Sequence, residues 1–306
     1  MQPNVSAWFG KCSLSAALIF VACGIATARF GQGLQLPATT ARDGALVTLN
    51  RYVDNPIPDI VLTGSSLTFR LKEEYFETPR LRNLALAGGS VITGLQIVAS
   101  QRQIPKMIVV ETNVLSRLPD AALVERYSAN EGRHGLFFRP IRTAIAAYEN
   151  RVHAPVRHAE VEASLQRLLA QPPSDFDNHV YVERAIQQME EEYPTSIVTK
   201  NVETIGKLID ALEQRGARVL LMEMPYAAPI EASRAARTTS EIVHRAFPDA
   251  GRWLPIDIQR AELRWADGVH LDERSAVLVS RYLDERFFSR PDARASSKIE
   301  RAGELH

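Results

Sequence analysis

The sequence predicts an α/β fold in which a mostly parallel sheet is covered by helices on both faces. Three short apolar segments, residues 59–63, 83–87 and 107–111, alternate with segments of helical character. Strands that alternate with helices favour parallel pairing, because a crossover helix returns the chain to the edge where the previous strand began. A chain of 306 residues, 45% of them hydrophobic, can also bury a substantial core. We therefore expect one α/β domain, at residues 57–290.

The helices follow from apolar spacing and from residues that end helices. Residues 67–76 can begin a helix after the first strand, so Ser66 is expected at a strand-to-helix turn with unpaired backbone N–H groups. In residues 196–214 apolar side chains recur every three or four positions, and Gly216 ends this long helix. The other predicted elements are a helix at 92–101, a fourth strand at 219–224, a fifth strand at 253–258 and a closing helix at 273–288.

An uncharged, mostly apolar segment lies near the N-terminus, at residues 12–28, between Lys11 and Arg29. Its length of about 17 residues is at the short limit for a membrane-spanning helix. It can be an uncleaved anchor, a secretory signal cleaved after the small residues at 26–28, or a lipoprotein signal before Cys23. We rank the anchor first. Each reading predicts an exported domain, either held at the inner membrane and facing the periplasm or secreted.

The remaining segments complete the domain organisation around the apolar residues at 1–30. Residues 31–56 show no clear periodicity and are interpreted as a linker, and residues 291–306 form a polar tail. Residues 117–195, rich in Ala, Arg, Glu and Leu and interrupted by prolines, predict a mostly helical insertion. We expect this insertion to act as a lid or as a surface for an envelope protein partner.

Charge and cysteine content exclude several kinds of site. The chain has 36 basic and 36 acidic residues, so no global field attracts nucleic acid. Both cysteines, Cys12 and Cys23, lie in the apolar segment, which leaves no thiol for a disulfide, a thiolate metal site or a cysteine nucleophile in the exported domain. Neither G-x-G-x-x-G, nor a P-loop, nor G-x-S-x-G is present. We expect no nucleic-acid partner, no metal and no cofactor.

Four short motifs in the predicted domain carry the groups that acyl transfer needs. In chain order they are Gly64-Ser65-Ser66-Leu67-Thr68, residues 83–90, Glu111-Thr112-Asn113 and Asp267-Gly268-Val269-His270. They supply a hydroxyl nucleophile, a glycine N–H and a side-chain amide that can face an oxyanion, and a histidine preceded by a carboxylate. Ser66, Gly88 and Asn113 each follow a predicted strand, at the sheet edge where ligands of parallel α/β folds bind. Without the other motifs, Ser66 would also be typical of a helix N-cap residue, and Asn113 would also be typical of a turn residue.

The first two motifs resemble blocks of the SGNH (GDSL-type) hydrolase and acyltransferase superfamily, named for its Ser, Gly, Asn and His. The family's G-D-S-x-[ST] block is matched with Ser66 at the nucleophile and Ser65 where Asp is usual. Its N-x-G-x-x-G block is matched from Asn83 to Gly88, with Ala85 replacing the first glycine.

The third and fourth motifs extend the resemblance, which covers roughly residues 59–288 apart from the middle insertion. The G-x-N-D block is matched by Glu111-Thr112-Asn113-Val114, which keeps the asparagine and changes both flanking residues. The D-x-x-H block is matched without change by Asp267 and His270.

The resemblance implies a flavodoxin-like three-layer sandwich and serine-dependent acyl-ester chemistry. It assigns Ser66 as nucleophile, His270 as base, Asp267 as the group that orients the base, and Gly88 and Asn113 as oxyanion donors. This chemistry needs no cofactor.

The altered flanking residues Ser65, Glu111 and Val114 are typical of divergent family members, which include envelope acetyltransferases. We therefore expect O-acetyl transfer or esterase activity on an acyl-ester or glycan substrate of the envelope. Both reactions begin with the same acyl-enzyme, and the insertion and the altered third motif favour transfer. The alternative is a non-catalytic carbohydrate-binding or scaffold module of an envelope polysaccharide assembly complex.

Overall fold

The computed structural model describes residues 5–30, 41–128, 152, 158–191 and 194–289. The chain divides into two compact units, one made of residues 1–56 and 131–157 and the other of residues 57–130 and 158–306. The polar tail and most of the insertion between residues 129 and 157 lie outside the described residues.

In the first unit the described residues form the helices α1 (Val5–Phe30) and α2 (Ala41–Asp54). Within α1, Trp8–Ile25 has a mean hydropathy of 1.6, and none of it is buried. By length and composition this helix can cross a membrane, as the apolar segment of the sequence predicted. A secretory signal sequence near the N-terminus has the same length and composition.

Within the segment that the sequence analysis interprets as a linker, residues 41–54 form α2. Leu46, Leu49 and Tyr52 recur every three positions along α2 and are all buried. Side chains three apart share one face of a helix, so this short apolar stripe explains why the segment is helical.

The second unit is built on a four-stranded, all-parallel sheet, which agrees with the predicted parallel pairing. In chain order the strands are β1 (Ile60–Thr63), β2 (Leu81–Asn83), β3 (Met107–Glu111) and β4 (Arg218–Met222). Their spatial order is β2-β1-β3-β4. The chain therefore enters the sheet at an inner strand, and the loops after β1, β2 and β3 meet at one edge.

Nine helices accompany these strands in the described part of the second unit. They are α3 (Ser66–Phe69), α4 (Val91–Ser100), α5 (Ala121–Tyr127), α6 (His158–Leu169), α7 (His179–Glu191), α8 (Thr195–Gln214), α9 (Ala228–Glu231), α10 (Arg234–Ala246) and α11 (Glu273–Ser289). Short 3₁₀ turns lie at Glu73–Tyr75, Ala250–Arg252 and Arg260–Glu262. Helices α6 and α7 confirm the helical character of the insertion where it is described.

Both faces of the sheet are buried, which gives three layers. Alternate strand residues point to opposite faces. The row Leu62, Val109 and Leu220 packs in one cluster with Val277 and Leu283 of α11. The neighbouring row at residues 61, 108 and 219 is also buried, and α4 and α8 contact the strands. This three-layer α/β arrangement is the fold class that the sequence predicted.

Several predicted boundaries differ from the structure. The helix after β1 stops at Phe69, because the side-chain amide of Asn83 donates to the carbonyls of Thr68 and Leu71, both at 2.7 Å. Strand β2 is Leu81–Asn83 where residues 83–87 were predicted, and β4 ends at Met222, two residues before its predicted end. The fifth strand is reduced to one bridge between Leu221 and Trp253, since Pro255 has no N–H to continue a ladder.

Candidate active site

Ser66 lies on the turn that joins β1 to α3, at the carboxyl edge of the sheet. Ser65 caps α3, and its Oγ accepts from the N–H of Leu67 at 3.2 Å. The N–H of Ser66 itself makes no hydrogen bond to any of the described residues. Ser66 therefore presents both a half-buried hydroxyl and an available backbone donor at the same point.

A buried carboxylate from the neighbouring strand β3 holds this turn in place. Glu111, at the end of β3, is 1% exposed. One of its oxygens accepts from Ser65 N at 2.8 Å, from Thr68 N at 3.2 Å and from Thr68 Oγ1 at 2.8 Å. Its other oxygen accepts from Ser65 Oγ at 2.7 Å. Because donors on both sides of Ser66 bind one fixed carboxylate, the position of the Ser66 backbone is set by β3 as well as by β1.

Gly64 is required by this close approach. A Cβ at position 64 would lie 2.6 Å from Glu111 Oε2 and 2.6 Å from Thr68 Oγ1. No side chain fits there while the carboxylate remains in place.

His270 and Asp267 reach Ser66 from the loop before α11. His270 Nε2 lies 2.7 Å from Ser66 Oγ, and His270 Nδ1 lies 2.8 Å and 2.9 Å from the two oxygens of Asp267. Asp267 also accepts from the backbone N–H of His270 at 3.0 Å. The carboxylate holds the proton on Nδ1, which leaves the lone pair of Nε2 for the Ser66 hydroxyl.

The charge of Asp267 is maintained by its contacts with His270. Partial burial works to raise the pKa of Asp267, but the hydrogen bonds from the His270 ring and backbone outweigh it and hold that pKa at about 2. Asp267 is therefore ionised at every pH at which the protein is expected to work.

Gly88 lies in the loop after β2, which runs beside the Ser66 turn. The loop is fixed there because Leu86 N donates to Gly64 O at 2.9 Å. Gly88 has φ +76°, a conformation that favours glycine, and its N–H makes no hydrogen bond to the described residues. It is exposed, and it does not line the catalytic cavity described below.

Asn113 lines the cavity that contains Ser66, and two hydrogen bonds to the Met224 backbone fix the orientation of its side-chain amide. Asn113 Oδ1 accepts from Met224 N at 2.6 Å, and Asn113 Nδ2 donates to Met224 O at 2.9 Å. The amide also interacts with the hydroxyl of buried Tyr226. Burial, with the charge of Glu111 added, raises the pKa of this phenol well above its usual range, so it stays an O–H donor. Asn113 and Tyr226 form one polar wall of the site.

Ser66, His270 and Asn113 share a cavity of about 350 Å³, called the catalytic cavity below. Part of its wall comes from the predicted insertion, through Ala185 and Met189 of α7. The insertion therefore lies beside the site, as expected.

Helix α7 also packs directly against the histidine loop. Gly268, between Asp267 and His270, has φ +91°, and a Cβ there would lie 2.8 Å from the backbone N of Val182. Asn178, just before α7, donates to Trp265 O at 2.6 Å. The position of the histidine loop thus depends on the insertion.

Three of the five predicted site residues, Ser66, His270 and Asn113, line one cavity. Asp267 contacts the far ring nitrogen of His270, and Gly88 lies in the adjoining loop. Sequence reasoning missed the roles of Glu111 and Tyr226. Glu111 was noted only as a departure from a motif, although a carboxylate that ends a wholly apolar strand is itself a signal. Among the described residues no group of three His, Cys, Asp or Glu side chains could hold a metal ion.

No protein-family model matches the chain, and no curated protein matches it significantly in sequence.

Proposed function

We propose that this chain is a serine-dependent acyl-ester enzyme of the SGNH type that transfers or removes a small acyl group. The observation that carries the proposal is the continuous set of hydrogen bonds from Ser66 Oγ through His270 to Asp267. A hydroxyl, a base and an orienting carboxylate in this order are the parts of a nucleophilic triad.

In the first step Ser66 Oγ attacks the carbonyl carbon of the ester, and its proton passes to His270 Nε2. The C=O electron pair moves to the carbonyl oxygen, which becomes an oxyanion. The available N–H of Ser66 and the polar wall of Asn113 lie at the cavity where this charge forms. Gly88, in the adjoining loop, is the further donor that the resemblance assigns. When the C–O bond breaks, His270 returns the proton to the departing alcohol, and the acyl group remains on Ser66.

In the second step an acceptor hydroxyl attacks the acyl-Ser66 ester, with His270 again taking and returning the proton. Water as acceptor gives hydrolysis, and a sugar hydroxyl gives O-acyl transfer. The wall that α7 contributes to the catalytic cavity favours transfer, because it limits the access of water. Acetyl is the proposed acyl group, and an envelope or exported carbohydrate is the proposed substrate.

The membrane placement of the proposal comes from α1. An exposed apolar helix ahead of the α/β unit suits an inner-membrane anchor with the catalytic unit outside the cytoplasm. Exported carbohydrate is then accessible to the site, whereas cytoplasmic esters are not.

Hydrolysis of p-nitrophenyl acetate by the full chain in detergent, beside Ser66→Ala, tests the proposal. We expect a loss of at least about a thousandfold in kcat/KM in the variant. Equal activity of the two proteins would reject it. Adding an oligosaccharide acceptor then separates the two reactions: acetylated sugar as product supports transfer, and free acetate alone shows an esterase.

A further inference from the structure

A second cavity adjoins the catalytic cavity and takes no part in the steps above. Its volume is about 680 Å³. It lies between the end of β4, helix α10 and residues 253–260. Asn113, Tyr226 and Thr239 line both cavities and so form the boundary between them. A ligand that spans this boundary would place one part beside Ser66 and the rest in the larger space.

The sizes of the two cavities suit the two halves of an ester. Sites for small molecules usually have volumes of about 300–1,000 Å³. The catalytic cavity is at the low end of this range and holds the acyl group, while the second has room for one or two sugar rings.

One carboxylate in the second cavity is held in a fixed orientation. Ser240 Oγ donates to Glu223 Oε1 at 2.8 Å, and His244 Nε2 lies 3.4 Å from Glu223 Oε2. The His244 ring is itself stacked on Trp253, with centroids 3.9 Å apart and an angle of 18° between planes. An ionised carboxylate has about four acceptor positions, so Glu223 keeps capacity for the hydroxyl groups of a ligand.

The rest of the wall combines apolar surface with negative charge. Leu254, Ile256 and Ile258 provide apolar surface against which the C–H faces of a sugar can pack. Four carboxylates line the cavity against two guanidinium groups, and one pair, Glu231 with Arg260, is bound together. The remaining charge repels an anionic ligand and attracts hydroxyl and amine donors.

We propose that the second cavity binds the carbohydrate half of the substrate, and that it accepts a neutral or amine-bearing sugar and rejects a uronate. This inference rests on the proposed function, because it makes the cavity the subsite for the alcohol that leaves or accepts the acyl group.

Direct binding to the full-chain Ser66→Ala protein tests the inference without any turnover. Calorimetry with chitotetraose, a neutral sugar, and with tetragalacturonate should show at least about tenfold tighter binding of chitotetraose. In the same background Glu223→Gln should weaken chitotetraose binding about tenfold. Glu203→Gln is the matched control, since Glu203 is exposed on α8 and lines neither cavity.

Charge reversal provides a second test that does not depend on removing a contact. Glu241 and Asp257 are both exposed at the cavity, so lysine at these positions is tolerated by the fold. The variant Glu241→Lys/Asp257→Lys should bring the affinities for chitotetraose and tetragalacturonate to within about threefold of each other, whereas Glu203→Lys should not change their ratio.

Absence of sugar binding, tighter binding of the uronate, or equal effects of cavity and control variants would overturn the inference. Its failure is distinguishable from failure of the proposed function. If the protein has Ser66-dependent activity on p-nitrophenyl acetate but no sugar preference, the subsite inference is rejected and the proposed function stands. If the protein shows the sugar preference but no such activity, the proposed acyl-ester function is rejected and sugar binding at the second cavity stands.

Discussion

Ser66 can act as a nucleophile only through the ring that accepts its proton, and that ring depends on Asp267. The serine hydroxyl, the imidazole and the carboxylate come from two loops some 200 residues apart, yet they meet at hydrogen-bond distance. On the other side of the turn, Glu111 fixes the backbone that carries Ser66. Each of these contacts makes a separate prediction.

Asp267→Asn keeps the size of the side chain but presents an amide to His270. The amide N–H favours the imidazole tautomer with its proton on Nε2, which cannot accept from Ser66. We expect kcat/KM for p-nitrophenyl acetate to fall about a thousandfold to ten-thousandfold, with the melting temperature little changed. Activity within tenfold of the native protein would show that Asp267 does not set the tautomer.

The lowered pKa of Asp267 also predicts a pH dependence of stability. Because the pKa is about 2 in the folded chain and near 3.8 without the fold, its contribution is fully present above about pH 4 and is lost as the pH falls through 2. Asp267 is 46% exposed, so this contribution is small and is screened by salt. Urea unfolding at pH 6 and pH 3 should show a stability difference between the native protein and Asp267→Asn that shrinks on acidification. A difference that grows instead would contradict the assigned contact.

The Ser65–Glu111 contact predicts a compensating pair of substitutions. Ser65→Asp alone puts a second carboxylate where Ser65 Oγ lies, 2.7 Å from Glu111 Oε1, and should destabilise the fold by about 2 kcal/mol. Ser65→Asp combined with Glu111→Gly supplies one carboxylate from the turn itself and should recover part of both stability and activity. If the losses of stability in the two single variants simply add in the double variant, a carboxylate at position 65 does not replace the one at position 111.

At the level of elements, the histidine loop is held between the sheet edge and α7. Gly268 approaches the α7 backbone so closely that no side chain can be added, and Asn178 ties the segment before α7 to Trp265. The insertion therefore packs against the histidine loop and also lines the cavity beside Ser66.

Gly268→Ala tests this packing. The residue has φ +91° and its Cβ would contact the Val182 backbone, so we expect a loss of about 1–3 kcal/mol in stability and a fall in activity. Gly206→Ala is the control, since a Cβ there meets only ring atoms of Phe247 at 3.8 Å or more, inside helix α8. That substitution should leave stability unchanged or raise it by up to about 1 kcal/mol. If Gly268→Ala and Gly206→Ala change the melting temperature equally, close packing of Gly268 against α7 is not supported.

The elements that the sequence predicted best are those whose apolar pattern is long or uniform. Strand β3 and helix α8 are within a residue of their predicted bounds, because a wholly buried strand and a three-four repeat are local signals. The fifth strand failed at Pro255, and α2 was missed because its stripe of three buried residues is short. The contacts of Glu111 and Tyr226 could not be predicted, since they depend on which loops the sheet order brings together.

For the whole molecule, the exposed helix α1 is long and apolar enough to be a membrane anchor or a signal sequence. If α1 is an uncleaved anchor, as we propose, the protein should pellet with membranes, resist carbonate extraction and retain residues 1–30 by intact-mass analysis. Leu18→Lys places a charge inside Trp8–Ile25 and should weaken membrane retention. A mature mass that begins after Ala28 would identify a cleaved signal instead.

The central claim is that His270 activates Ser66, and reaction with a fluorophosphonate probe measures this directly. Such a probe labels only a serine whose hydroxyl is activated by a neighbouring base. We predict labelling of the full chain on the peptide that contains Ser66, with none in Ser66→Ala and a loss of at least about a hundredfold in rate in His270→Ala. A folded native chain that is not labelled, or that is labelled equally fast in His270→Ala, would contradict the account.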